Sequence, residues 1–338
     1  RFATGDQALL KKTALWSIAL IADASSYNVL LQQAKNVGFK NDPTEATNAL
    51  VEYMHQTASK GNPALLKEIS QAILDNTPEP AQQHYRLAGL RTLAQVDPAG
   101  STKVLIKEHN RFDSEYQKEV LNIAVPSANT TSALKLWQKE YKKTTGTSQA
   151  DVLSMMSRAN RNDGFVTTTL VPALSSSNQS TRVTAAAEIA SNRNKKLIPV
   201  LLDYLMRSSE SVDLEAGKAS ILQLADKETG SLLAQKIESA KPANKVALLQ
   251  MLAARRSVEN FPVVAAQTKS NDSAVKAAAF EALPFVSSGK NVGELLSMLA
   301  ANENEKELRT IQSAIISGLD KNTGTLINEA YQKEKIKV

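Results

Sequence analysis

Residues 272–286 read Asp-Ser-Ala-Val-Lys-Ala-Ala-Ala-Phe-Glu-Ala-Leu-Pro-Phe-Val. Asp272 suits a helix N-cap, where its carboxylate accepts from the first free backbone N–H groups. Val275, Ala279, Ala282 and Leu283 then recur at intervals of three and four, which places them on one helical stripe. A stripe rich in alanine lets a neighbouring helix come close. A single helix of this kind cannot bury that stripe alone, so its partners have to be sought as repeats along the chain.

They are found on both sides. Ser211–Ala225, Pro242–Arg256 and Glu305–Leu319 have the same build, with starts 31, 30 and 33 residues apart along the series that includes Asp272. Asn178–Ala190, Ser148–Asn160, Ser114–Val125, Glu79–Val96, Asp42–Lys60 and Asp6–Ala22 continue it backward at intervals of 30–37. We call these the B helices. Between them lie shorter apolar-periodic segments, the A helices: Tyr27–Val37, Pro63–Asp75, Ser101–His109, Ser132–Lys143, Val166–Ser175, Leu197–Met206, Ser231–Ser239, Phe261–Thr268 and Val292–Ala300. A last segment, Thr325–Lys333, has no partner after it. Gly38, Gly61, Gly100, Gly146, Gly164, Gly230 and Gly324 fall between helices. Pro172, Pro199 and Pro262 are expected to kink A helices, and Pro284 falls late in a B helix. No period-2 alternation survives between turn signals, so no strand is expected.

The composition agrees. Thirteen glycines and eleven prolines make roughly 7% of the chain, against a usual ~12%. Aromatics are 5% and cysteines are absent, which removes disulfides, thiolate chemistry and Cys-based zinc sites. No apolar run is long enough for a membrane span. The net charge of +6 is spread evenly, +3 on residues 1–169 and +3 on residues 170–338. The linear sequence therefore shows no basic tail of the kind a nucleic-acid binder concentrates, although folding can gather charge on one face.

The B helices resemble HEAT repeats, in which an Asp or Asn start is followed by Val-Lys/Arg, then Ala and Leu at helical spacing. Asp272, Val275, Lys276, Ala279, Ala282 and Leu283 follow that pattern closely, Leu308, Arg309, Ala314 and Ile315–Ile316 in part, and Tyr85, Arg86 and Leu93 more loosely. The resemblance implies an all-α superhelix, a HEAT/armadillo-like α-solenoid of about ten helical hairpins. It would be one repeat array over 1–338, curved, roughly 80–100 Å long from a helix spacing of ~8–10 Å, with B helices on the concave side. The stretch Lys11–Ala22 also resembles the helical part of Bacteroidetes envelope proteins that carry a 3-keto-disaccharide hydrolase-like sandwich domain. That resemblance implies a fragment of a longer chain, located in the periplasm or cell envelope with its leader removed. A cytoplasmic location is the alternative.

The sequence offers little that reads as chemistry. His55, His84 and His109 are 29 and 25 residues apart, and none has a His or Cys partner within a turn. There is no nucleophile elbow, Walker loop or dinucleotide fingerprint. No metal site, cofactor or catalytic residue is assigned. Trp16 and Trp137 sit on apolar periodicity and read as core. Lys142–Lys143, Lys195–Lys196 and Arg255–Arg256 read as complements to helix C-termini or as an anion-binding rim. The repeated basic position of the B helices, Arg86, Lys276 and Arg309, has two open readings: an inter-repeat ion-pair ladder, or ligand contact on the concave face. Together these features suggest a non-catalytic scaffold that binds a protein partner or positions an attached carbohydrate-active domain. The alternative is a nucleic-acid binder using a basic concave face.

Overall fold

In a computed structural model the structure describes residues 2–5, 7–321 and 323–334. Asp6, where the first B helix was expected to begin, lies outside the described residues. The chain is all-helical, with no strand among the described residues, and divides into two compact units, residues 1–161 and 162–338.

In the first unit the helices are α1 (Ala8–Ile21), α2 (Tyr27–Asn36), α3 (Ala46–Ser59), α4 (Pro63–Asn76), α5 (Gln83–Val96), α6 (Pro98–His109), α7 (Ser114–Ala124), α8 (Thr131–Tyr141) and α9 (Gly146–Ala159). The second holds α10 (163–173), α11 (Gln179–Ser191), α12 (Ile198–Arg207), α13 (Ser211–Leu224), α14 (Thr229–Ile237), α15 (Pro242–Ala254), α16 (Phe261–Gln267), α17 (Ser273–Val286), α18 (Val292–Ala300), α19 (Glu305–Ser317) and α20 (Thr323–Glu334). Within each unit the odd-numbered B helices pack on one another, α1 on α3 and α5 on α7 in the first, α11 on α13 and α17 on α19 in the second. The A helices fill the other layer, so each unit is a helical-repeat stack. The core runs between the layers through residues such as Leu50, Ile69, Leu90 and Val120, then Ala185, Leu201, Leu248 and Leu283, all fully buried.

The caps explain why the helices start where they do. Asn62, Asp97, Asp113, Thr130, Asn178, Asp272 and Asn304 each accept from a backbone N–H in the first turn of the helix that follows, satisfying donors that have no partner inside the helix. The prolines behave differently from expectation. Pro199 and Pro262 fall at the second position of α12 and α16, where the missing N–H costs least, because a 3-10 turn delays the start of each helix. Within α10, Val166–Leu170 is wound as a π-helix ahead of Pro172, which has no N–H to donate to the i−4 carbonyl. Pro284 lies inside α17, in its last turn. No helix among the described residues is long and apolar enough to cross a membrane.

Candidate functional site

The fourth residue of several B helices has a common task. In α5 it is Arg86, whose Nη1 donates to the carbonyls of Leu74 (2.5 Å) and Thr77 (3.0 Å) at the end of α4. In α7 it is Gln117, which donates to the Arg111 and Phe112 carbonyls, each at 3.3 Å. In α9 it is Gln149, which donates to the Tyr141 carbonyl at 3.1 Å. In α11 it is Arg182, which donates to the carbonyls of Ser176 (2.9 Å) and Ser177 (3.3 Å). Each of these side chains serves carbonyls in the last turn of the preceding A helix or in the turn just beyond it.

The two arginines also hold carboxylates. Arg86 is 4% exposed and grips Glu108, which is 2% exposed, through Nε (2.5 Å) and Nη2 (2.7 Å). Tyr116 donates its hydroxyl to the same carboxylate at 2.9 Å. Burial alone would raise the Glu108 pKa, but the hydrogen bonds from Arg86 and Tyr116 outweigh it and hold the carboxyl below its ordinary value. Burial and the neighbouring Glu108 charge push the Tyr116 hydroxyl up. In the second unit Arg182 grips Asp213 through Nε (2.9 Å) and Nη2 (2.7 Å), Tyr204 donates to it at 2.6 Å, and Gln179 completes the set at 3.3 Å. Asp213 is again held below its ordinary pKa against the effect of burial, and Tyr204 is again pushed up. These groups are saturated by one another, which is the arrangement of a structural brace.

Lys276, the fourth residue of α17, departs from this pattern. Its Nζ pairs with Glu307 of α19 at 2.8 Å and lies 5.8 Å from the centre of the Phe280 ring, while its side chain stays 40% exposed. Two open grooves meet at this trio. One, of about 530 Å³, runs over α16 and α18 with Pro262, Ala265, Ala266, Met298 and Ala301 as apolar floor and Lys269, Glu294 and Asn302 at the edge. The other, of about 380 Å³, runs between α17 and α19 past Ala277, Glu281, Lys306 and Thr310. Lys276, Phe280 and Glu307 line both. Burial would raise the Glu307 pKa, but the hydrogen bond from Lys276, joined by Asn302 donating at 2.7 Å, holds this carboxylate too below its ordinary value.

The three basic residues singled out by the sequence are therefore not brought together. Arg86 is buried in the first unit; Lys276 borders the grooves of the second. Arg309 is exposed and, among the described residues, pairs only with Glu305, one turn earlier on the same helix. Arg182 was missed, although it stands four residues after Asn178 just as Lys276 stands four after Asp272; the legible signal was that register. The histidines do not converge. His55 and His84 are exposed. His109 is buried beside Trp137, with Nε2 3.3 Å from the Ser148 hydroxyl and Nδ1 without a partner. Trp137 is buried as expected, while Trp16 is half-buried and donates to Glu45 at 2.9 Å. Among the described residues no group of three or more His, Asp or Glu side chains is placed to hold a metal ion. No family model matches the chain, and no curated protein matches it.

Proposed function

We propose that this chain is a non-catalytic helical-repeat scaffold of the HEAT kind, and that the paired grooves over α16–α19 dock an extended segment of a protein partner. The observation that carries the reading is the composition of those grooves: Ala, Pro and Met form an apolar floor in the first, Phe280 is shared with the more polar second, and both carry side chains of both charge signs. An apolar floor gains from burial, and a rim of mixed sign supplies orientation, which together suit a peptide better than a small anion or a nucleic-acid backbone. The segment belongs either to a separate protein or to another domain of the same polypeptide, such as a carbohydrate-active one. A periplasmic or envelope location is part of the same proposal and rests on the cysteine-free composition.

The test is site-specific photo-crosslinking in the source cells, with the reactive group at Ala266 in the groove or at the exposed Ser191 as control. One protein captured from position 266 alone, and binding the purified chain at least tenfold more weakly after Met298→Glu, supports the reading. A partner whose affinity is untouched by Met298→Glu, or no groove-specific product, defeats it.

A further inference from the structure

The first unit carries a concentration of charge that the even distribution along the chain conceals. Helices α6 and α8 are adjacent A helices. Residues 98–112 and 131–149, which contain them, hold seven cations, Lys103, Lys107, Arg111, Lys135, Lys139, Lys142 and Lys143, against two carboxylates, Glu108 and Glu140. Both carboxylates are turned inward, at 2% and 8% exposure. Glu108 is consumed by Arg86, Tyr116 and Arg111, and Glu140 accepts from Asn110 at 2.9 Å. All six lysines are exposed, and none has an ion-pair partner among the described residues. The nearest exposed carboxylates in sequence, Asp113 and Glu115, belong to the start of α7, and Asp113 is engaged as its cap.

Helical phase makes this a plane. Lys103 and Lys107 are one turn apart on α6, and Lys135 and Lys139 one turn apart on α8. In both helices the opposite side is the buried one: Ser101, Leu105 and Glu108 in α6, Ala133, Trp137 and Glu140 in α8. Two lysine columns thus project from the outward poles of two side-by-side helices, with Lys142 and Lys143 extending the second. Like charges at i,i+4 weaken a helix, so the stack tolerates a cost that neutral residues would avoid.

We propose that this face of α6 and α8 is a docking surface for an anionic lipid bilayer. Its chemistry is that of a smeared, planar negative charge. Specific protein interfaces are depleted in lysine and enriched in aromatics and arginine, whereas this face exposes six lysines and no large apolar side chain. Nucleic-acid readers use arginine forks and stacking aromatics, and here the single arginine, Arg111, is tied to Glu108 and lies over the Phe112 ring. A membrane surface asks only for coplanar cations, and lysine ammoniums serve as well as any. The contact is peripheral, with nothing inserted.

The full chain is mixed with sedimentable vesicles of phosphatidylcholine alone or with one third phosphatidylglycerol. Each lysine near such a surface tightens binding roughly fivefold, about 1 kcal/mol. Binding is expected only to the anionic vesicles and is expected to fall steeply with salt. The quadruple variant Lys103→Gln, Lys107→Gln, Lys135→Gln, Lys139→Gln is expected to lose at least a hundredfold while keeping the wild-type melting temperature. A second quadruple variant, Lys196→Gln, Lys227→Gln, Lys241→Gln, Lys290→Gln, at exposed positions of the second unit, controls for net charge and is expected to lose less than fivefold. Failure of the wild type to bind anionic vesicles overturns the proposal, as do equal losses in the two variants. So does a duplex DNA that binds this face more tightly than the vesicles and displaces them. The groove reading is untouched by any of these outcomes.

Discussion

The two arginine braces are built from the same three groups in exchanged positions. In the first unit the A helix α6 supplies the carboxylate, Glu108, and the third residue of the next B helix supplies the tyrosine, Tyr116. In the second unit the A helix α12 supplies the tyrosine, Tyr204, and the third residue of the next B helix supplies the carboxylate, Asp213. Both arginines also reach the carbonyl end of the A helix before them. The geometry of the repeat thus fixes a place where a side-chain donor is wanted, filled by Gln117 and Gln149 in other repeats, and where a guanidinium stands there it leaves open which neighbour answers the charge. What differs is access. The Arg86 side chain is 5% exposed and that of Arg182 is 21% exposed. Arg182, Tyr204 and Asp213 line a cavity of about 290 Å³ that also meets Arg207, Ser209 and Glu210.

Removing the carboxylate should separate the two most sharply. Glu108→Ala strands a guanidinium in a dry site, and breaking a buried pair costs about 3–5 kcal/mol. Asp213→Ala strands one that water can reach through the cavity, so its cost should be nearer the ~1.5–3 kcal/mol of a lost charged hydrogen-bond set. Chemical denaturation of the two variants measures the difference. Equal losses would mean that the cavity does not hydrate Arg182. Adding Arg86→Met to Glu108→Ala should recover much of the loss, since the charge that needed compensation is gone.

Acid should break the first unit before the second. His109 is held neutral by burial, against the pull of Glu140 and Asp151, and its pKa lies below the ordinary 6.5. The unfolded chain then binds more protons, so this contribution is complete above pH 6.5 and declines as the pH falls below it. Glu108, lowered from 4.5, adds a second loss below that value; in the second unit Glu307, also lowered from 4.5, weakens in the same range and Asp213, lowered from 3.8, lower still, so the His109 window above it is what separates the units. All three histidines and both tryptophans lie in residues 1–161. Tryptophan fluorescence therefore reports the first unit while circular dichroism reports both. The fluorescence transition should come at the higher pH, and His109→Gln should flatten the slope of its melting temperature between pH 7 and 5. Coincident transitions, or an unchanged slope, would show that the units unfold as one or that His109 is not the group.

The fold was legible because caps and period speak locally. Ser211, Pro242 and Glu305 were read as helix starts and are the first residues of α13, α15 and α19, and Asp272 is the cap of α17. The braces were legible only by half. The basic position recurs in the sequence, but its acidic partner lies 22 residues on for Arg86, in an A helix, and 31 on for Arg182, in a B helix. No single spacing finds both. The lysine face was invisible for another reason: α6 and α8 are separated by α7, whose Glu115 and Glu119 dilute the count along the chain. The grooves over α16–α19 depend on the packing of four helices and have no one-dimensional signal.

The smallest effect in the comparison falls on the tyrosines. Tyr116→Phe removes a 2.9 Å donor from a carboxylate that keeps Arg86 and the long 3.4 Å contact of Arg111. Tyr204→Phe removes a shorter donor, 2.6 Å, from a carboxylate that keeps Arg182 and Gln179. Distance alone would make Tyr204→Phe the costlier change. Access argues the reverse, because a water in the cavity beside Asp213 can replace the lost hydroxyl, whereas the Glu108 carboxylate is enclosed with an Arg86 side chain that is only 5% exposed. The expected losses are about 1.5–2 kcal/mol for Tyr116→Phe and under about 1 kcal/mol for Tyr204→Phe. A larger loss at Tyr204 in denaturant melts would mean that bond length, and not hydration of the site, sets what these tyrosines contribute.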